Sequence, residues 1–178
     1  MKKLLFLIIS FLILFFPQVS LSQNATSSSL IKHVDYELPY PGILPDSPLY
    51  FLKAIRDNIL AAFVSDPVKK SEYNLLMADK RLASSKLLVD YKKYDLAITT
   101  LSKSGNYFDK AIQQAAEIKR QGKNADATLD KLLIASQKHQ EVIFQMSQKT
   151  TGDTRYNLEL LQVRAKTFQE TVEVVKAN

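Results

Sequence analysis

The sequence predicts an all-α fold: an antiparallel helical bundle of four long helices, plus a short first helix and an extended Pro-rich N-terminal arm. Three observations lead there. Beyond residue 48 apolar residues recur at steps of three and four almost to the C-terminus. The interruptions are short and carry Gly, Pro or a capping residue. No segment reads convincingly as a strand. With 178 residues the chain is long enough for one domain with a sizeable core.

Residues 1–22 read as a secretory leader. Lys2 and Lys3 give a positive start, Leu4 to Phe16 form an apolar run broken only by Ser10, and Pro17 ends it. The run is short for a permanent span. Ser20 and Ser22 are the small residues for a cut before Gln23. An uncleaved signal-anchor is the other reading, and it would tether the chain to a membrane. Residues 23–47 form a linker and an extended arm. Ile31, Val34, Tyr36 and Leu38 alternate and suit extended contacts. Residues 48–178 form the bundle domain.

Helix 1 is expected from about Pro48 to Val64, with Leu52, Ile55, Ile59 and Phe63 on one side. Asp46 or Ser47 can cap it, and Pro48 suits a first turn because it has no N–H to orphan. Ser65-Asp66-Pro67 stops it and starts helix 2, and so short a link favours an antiparallel pair. Helix 2 runs to about Tyr91, with Val68, Leu75, Leu82 and Val89 seven apart and Ala78 and Ser85 between them. Helix 3 runs from about Asp95 to Gln121. Its seam of Ala97, Leu101, Ser104, Phe108, Ala111, Ala115 and Ile118 continues through Gly105, so one unbroken helix is expected despite the cost of an interior glycine. Gly122-Lys123-Asn124 makes the next turn. Helix 4 spans about Ala125 to Lys149, carrying Leu129, Leu132, Leu133, Ser136, Ile143 and Met146. Helix 5 follows Gly152-Asp153, with Leu158, Leu161, Ala165, Phe168, Val172 and Val175.

The stretch joining arm to bundle is Tyr40-Pro41-Gly42-Ile43-Leu44-Pro45-Asp46-Ser47-Pro48-Leu49-Tyr50. Its prolines and glycine restrict the backbone, and its apolar and aromatic residues favour contact with the fold. Tyr40, Pro41, Leu44, Pro45, Asp46, Ser47, Pro48, Leu49 and Tyr50 are therefore a candidate interaction surface or a structural clasp. Within it, Leu44 to Lys53 resembles the signature of a bacterial domain-of-unknown-function family marked by L-P-D-S-P-L-Y-x-L-K. Asp66-Pro67-Val68-Lys69-Lys70 is similar to that family's D-P-x-K helix start. Ala78-Asp79-Lys80-Arg81-Leu82 is similar to its A-E-x-R-L run, with Asp79 where Glu is usual. The resemblance spans about Tyr40 to Gly122. It implies a helical, secreted or envelope-associated domain with no assigned activity, and it brings no catalytic residue.

Chemistry is sparse. There is no Cys, which removes disulfides, a lipobox and thiolate metal sites. No H-E-x-x-H, E-x-x-H, G-x-S-x-G or Gly-rich phosphate loop occurs. No base stands with a nucleophile, so a non-enzyme without a cofactor is expected. The imidazoles are His33, expected to be exposed, and His139, expected at a helix boundary. A haem between His139 and Met77 is the alternative worth naming; Met146 shares a helix with His139 and cannot face it across a ring. Net charge is +6, or +4 without Lys2 and Lys3, and dispersed, with no aromatic-basic motif for nucleic acid. The expectation is an exported, non-catalytic binding or scaffold domain for an unknown protein or envelope component. A small-ligand or haem-carrying bundle is the alternative. Tyr40, Tyr50, Phe51, Tyr91, Tyr94, Tyr107 and Tyr156 either form a recognition surface or close the bundle's ends and seat the arm.

Overall fold

A computed structural model of the protein describes residues 33–178. The leader, the linker up to residue 32 and Ile31 fall outside them. Five helices follow an extended arm: α1 (Tyr50–Phe63), α2 (Pro67–Asp90), α3 (Tyr94–Arg120), α4 (Asp126–Gln148) and α5 (Gly152–Ala177). Helices α2 to α5 form the bundle. Gly105 lies inside α3, which is unbroken.

The tightest contact is between α2 and α3. Ser71, Ala78 and Ser85 of α2 meet Ala111, Ser104 and Ala97 of α3, stepping by seven in opposite directions. Ser71 Oγ donates to the Ala111 carbonyl, Ser85 Oγ to Ala97 and Ser104 Oγ to Ala78, each at 2.8 Å. All six residues are buried. Small side chains let the two backbones approach, and the buried hydroxyls find acceptors across the contact, so none costs an unmet hydrogen bond.

Helices α4 and α5 make the second antiparallel hairpin. Gln140 Nε2 donates to Gln169 Oε1 at 2.9 Å, and Lys176 pairs with Asp130 further along. The hairpins stack so that α2 lies parallel to α4, and α3 to α5. Asp79 meets His139 and Asp90 meets Lys149, while Lys119 donates to the carbonyls of Val175 and Lys176. Consecutive helices are thus antiparallel, whereas the neighbours across the hairpin boundary are parallel.

The core sits where all four helices converge. Phe108 of α3 stacks on Phe168 of α5 with centroids 4.8 Å apart, and its edge meets His139 of α4 at 4.8 Å. At Gly105 an added Cβ would lie 2.9 Å from the Arg164 guanidinium, which would have to shift to admit it. Arg164 crosses α3 there, donates to Asp109 at 2.5 Å and covers the Phe168 ring.

The helix ends follow local chemistry. Asp66 caps α2 by accepting from the Lys69 N–H at 2.9 Å, with Pro67 in the first turn. After α3, Gly122 takes φ +72°, its N–H bonding Lys119 O while the Lys123 N–H bonds Ile118 O. After α2 the same pattern is built on Lys92 at φ 60°. The start of α1 differs from expectation. Its N-cap is Leu49, with no side-chain cap. Asp46 is instead drawn to Lys93, and successive turns (Ser47 N–H to Leu44 O, Tyr50 N–H to Ser47 O) delay the helix until Tyr50. A tertiary ion pair outcompetes the cap.

Candidate functional site

The arm lies extended on the bundle with alternating contact. Val34, Tyr36 and Leu38 are partly covered, while His33, Asp35 and Glu37 are exposed. Two buried carboxylates hold it. Glu141 of α4 accepts from the Val34 N–H at 2.9 Å, from Lys138 at 3.0 Å, and meets His33 Nδ1 at 3.3 Å. Burial pushes the Glu141 carboxyl up, but the Val34 N–H, Lys138 and His33 together hold it below its ordinary value. Asp79 of α2 accepts from the Tyr36 hydroxyl at 2.5 Å and meets His139 Nε2 at 2.8 Å. Burial, then the neighbouring Asp79 charge, pushes the Tyr36 phenol well above its ordinary value, so it remains a donor.

The entry stretch is fastened at three points. Lys53 donates to the carbonyls of Pro41 (2.6 Å) and Ile43 (3.1 Å), which closes the turn at Gly42 (φ +70°). Asp46 pairs with Lys93 at 2.6 Å. Tyr50 accepts from Arg81, whose guanidinium also lies 4.9 Å from the Tyr107 ring centroid. Pro41 is buried, and Leu44, Pro45 and Ser47 are half-buried, the Ser47 hydroxyl accepting from the Leu49 N–H at 3.3 Å. Tyr40 (83% exposed), Pro48 and Leu49 face outward. The stretch thus combines fixed and free residues, and it fixes the start of α1.

Helix α1 lies antiparallel along α2, but the side it turns inward is the polar one. Tyr50 reaches Arg81, Lys53 reaches the arm, and the Asp57 carbonyl accepts from the Tyr73 hydroxyl at 2.6 Å. The Asp57 carboxylate is buried and pairs with Arg56 at 2.7 Å. Burial lowers Lys53 below its ordinary value; Asp57 opposes this, while Arg81, Lys80 and Arg56 add to it. These four cations therefore share one neighbourhood. The seam of Leu52, Ile55, Ile59 and Phe63 faces away from the bundle. With Leu49, Phe51 and Leu60 it is exposed by 44% (Ile55) to 80% (Phe63). Periodicity identified the stripe, but a stripe does not say which side a helix turns inward. Residues such as Lys53 and Asp57, able to bond the arm and α2, were the missed signal.

His139 is not at a boundary; it is fully buried. Its Nε2 is engaged by Asp79, and the space beside it, lined by Gly105, Ile143 and Phe168 among others, holds about 10 Å³. Met77 lies towards α1, with Lys53, Asp57 and Arg81, and does not face His139. A ligand pocket usually takes several hundred Å³, so this core offers no bay for a haem. A larger open groove of about 630 Å³ runs beside the arm, between His33, Asp35, Gln137, Gln140 and Gln169. Among the described residues no group of three or more acids and imidazoles is placed to hold a metal ion. Among the same residues, no helix is long and apolar enough to cross a membrane.

A family model described as Domain of unknown function (DUF5667) matches residues 42–153. The match takes in α1 to α4 and ends as α5 begins, although α5 supplies Phe168 to the core. No curated protein and no solved structure matches the chain.

Proposed function

The chain belongs to the family described as Domain of unknown function (DUF5667), and from that premise we propose that it is an exported, non-catalytic helical binding domain that meets its partner through α1 and the free residues of the entry stretch. One observation carries the reading. The bundle completes its core without the apolar side of α1, and α1 is held on it by polar contacts with that side outward. A contiguous apolar surface of this kind on a folded domain marks an interaction site. Export rests on the leader-like residues 1–22. The carrier alternative has no comparable support, given the filled space around His139.

A photo-crosslinking residue placed in the cell at Phe63 and at Tyr40, with exposed Tyr156 of α5 as control, tests this. The expected result is a discrete protein or lipid adduct at position 63, absent at 156. Crosslinks from 63 only to the chain's own residues would overturn it and leave α1 a structural element.

A further inference from the structure

We propose that the outward side of α1 seats the domain on an anionic lipid surface; this rests on the reading above that α1 is the docking element. Seven large apolar residues, Leu49 to Phe63, are exposed on one short helix and its N-cap. At about 200 Å² for a large side chain, their exposed share comes to roughly 800 Å², more than the few hundred Å² usual for the largest apolar patch of a monomer. The helix has 14 residues, too few to span a bilayer and sufficient to lie along one. Phe51 and Phe63 stand at its two ends, bulky side chains of the kind an interfacial helix buries, and the 83% exposed Tyr40 precedes it, a residue type favoured at the water–lipid boundary.

Charge selects lipid over a second copy of the chain. Of the charged residues of α1, Lys53 is turned inward to the arm and Asp57 is buried, which leaves Arg56 as the exposed charge on the outward side. Lys69, at the start of α2, is exposed as well. Arg56, at the edge of the stripe, has a side chain 62% exposed. A two-fold contact through this stripe would bring Arg56 and its neighbours against their own copies. A leaflet of phosphate headgroups instead meets Arg56 with opposite charge while the apolar side chains enter the boundary region. A protein surface could offer acidic groups too, and the test separates it.

The chain has no cysteine, so a single introduced thiol can be labelled cleanly. Phe63→Cys, and Tyr156→Cys as control, carry a polarity-sensitive fluorophore on the full chain, mixed with phosphatidylcholine vesicles with or without phosphatidylglycerol. The expected result is a blue shift and a several-fold rise at position 63 with the anionic vesicles only, reduced at about 0.5 M salt. No change is expected at 156. Both labelled chains keep residues 1–22, so the difference between them belongs to α1. Adding Leu52→Asp and Ile59→Asp should abolish the response while the helical circular dichroism is unchanged.

Absence of any response, or an equal response to neutral vesicles, overturns the proposal. So does a response that follows chain concentration in the absence of lipid, which sedimentation would identify as self-association. A silent probe at 63 together with a protein adduct there in the cell would remove the lipid and leave the binding reading in place.

Discussion

The α2–α3 contact and helix α1 carry the same kind of sequence pattern and put it to opposite ends. Between α2 and α3 the seven-residue repeat of Ser and Ala is buried and bonded across the contact at 2.8 Å. On α1 an apolar stripe of equal regularity faces outward, and the helix is held by Tyr50, Lys53 and Asp57. Periodicity states that a face exists. What covers the face depends on the size and bonding capacity of the residues opposite it: small Ser and Ala admit another backbone, whereas Lys53 and Asp57 hold α1 to the arm and α2 from its polar side.

The largest effect is expected from enlarging a small residue in the α2–α3 contact. Ala111→Leu forces bulk between two backbones with no free volume and is expected to cost about 3 kcal/mol or more, read by denaturant unfolding. Next comes Asp79→Ala. It leaves the partly covered Tyr36 hydroxyl and the buried His139 imidazole without their shared acceptor, at an expected cost of about 2–3 kcal/mol. Tolerance of that change would mean the arm's seat is not made by these bonds.

Acid should act more gently, through Glu141. Its carboxyl is held below the ordinary value of 4.5 in the folded protein. Its contribution is therefore complete above that value and is lost as pH falls through the lower, folded range. Thermal melts from neutral pH down to about 3 should show a declining limb, and Glu141→Gln should flatten it. The smallest effect is expected on α1. Leu52→Ser with Phe63→Ser should move stability by no more than about 0.5 kcal/mol, because both side chains already face water. A large loss there would show that α1 belongs to the core after all and erase the contrast.

Much of the bundle was legible because its seams consist of apolar residues with one feasible destination. Leu101, Phe108, Ala111 and Ile118 are buried as their spacing requires, and Gly105 did not break α3. The breaks at Asp66-Pro67 and Gly122 were legible for an equally local reason: a cap or a positive φ acts within four residues. Long-range bonds were not legible. Nothing near Asp79 in the chain announces His139, and nothing near Asp46 announces Lys93, so His139 read as a boundary residue and Asp46 as a helix cap. The order of helices was hidden for the same reason, since a seam names no neighbour. In the candidate site, the stretch from Tyr40 to Tyr50 stood out through its prolines, and the stripe on α1 through its period. The outward turn of that stripe depends on partners that sequence spacing does not reveal.

The arm's two anchors lie on different hairpins: Tyr36 reaches Asp79 on α2, and Val34 reaches Glu141 on α4. Its seat therefore does not exist until α2–α3 and α4–α5 have come together. A chain with only one hairpin in place would offer the arm a single anchor, so the arm's full seating reports on the junction of the two hairpins.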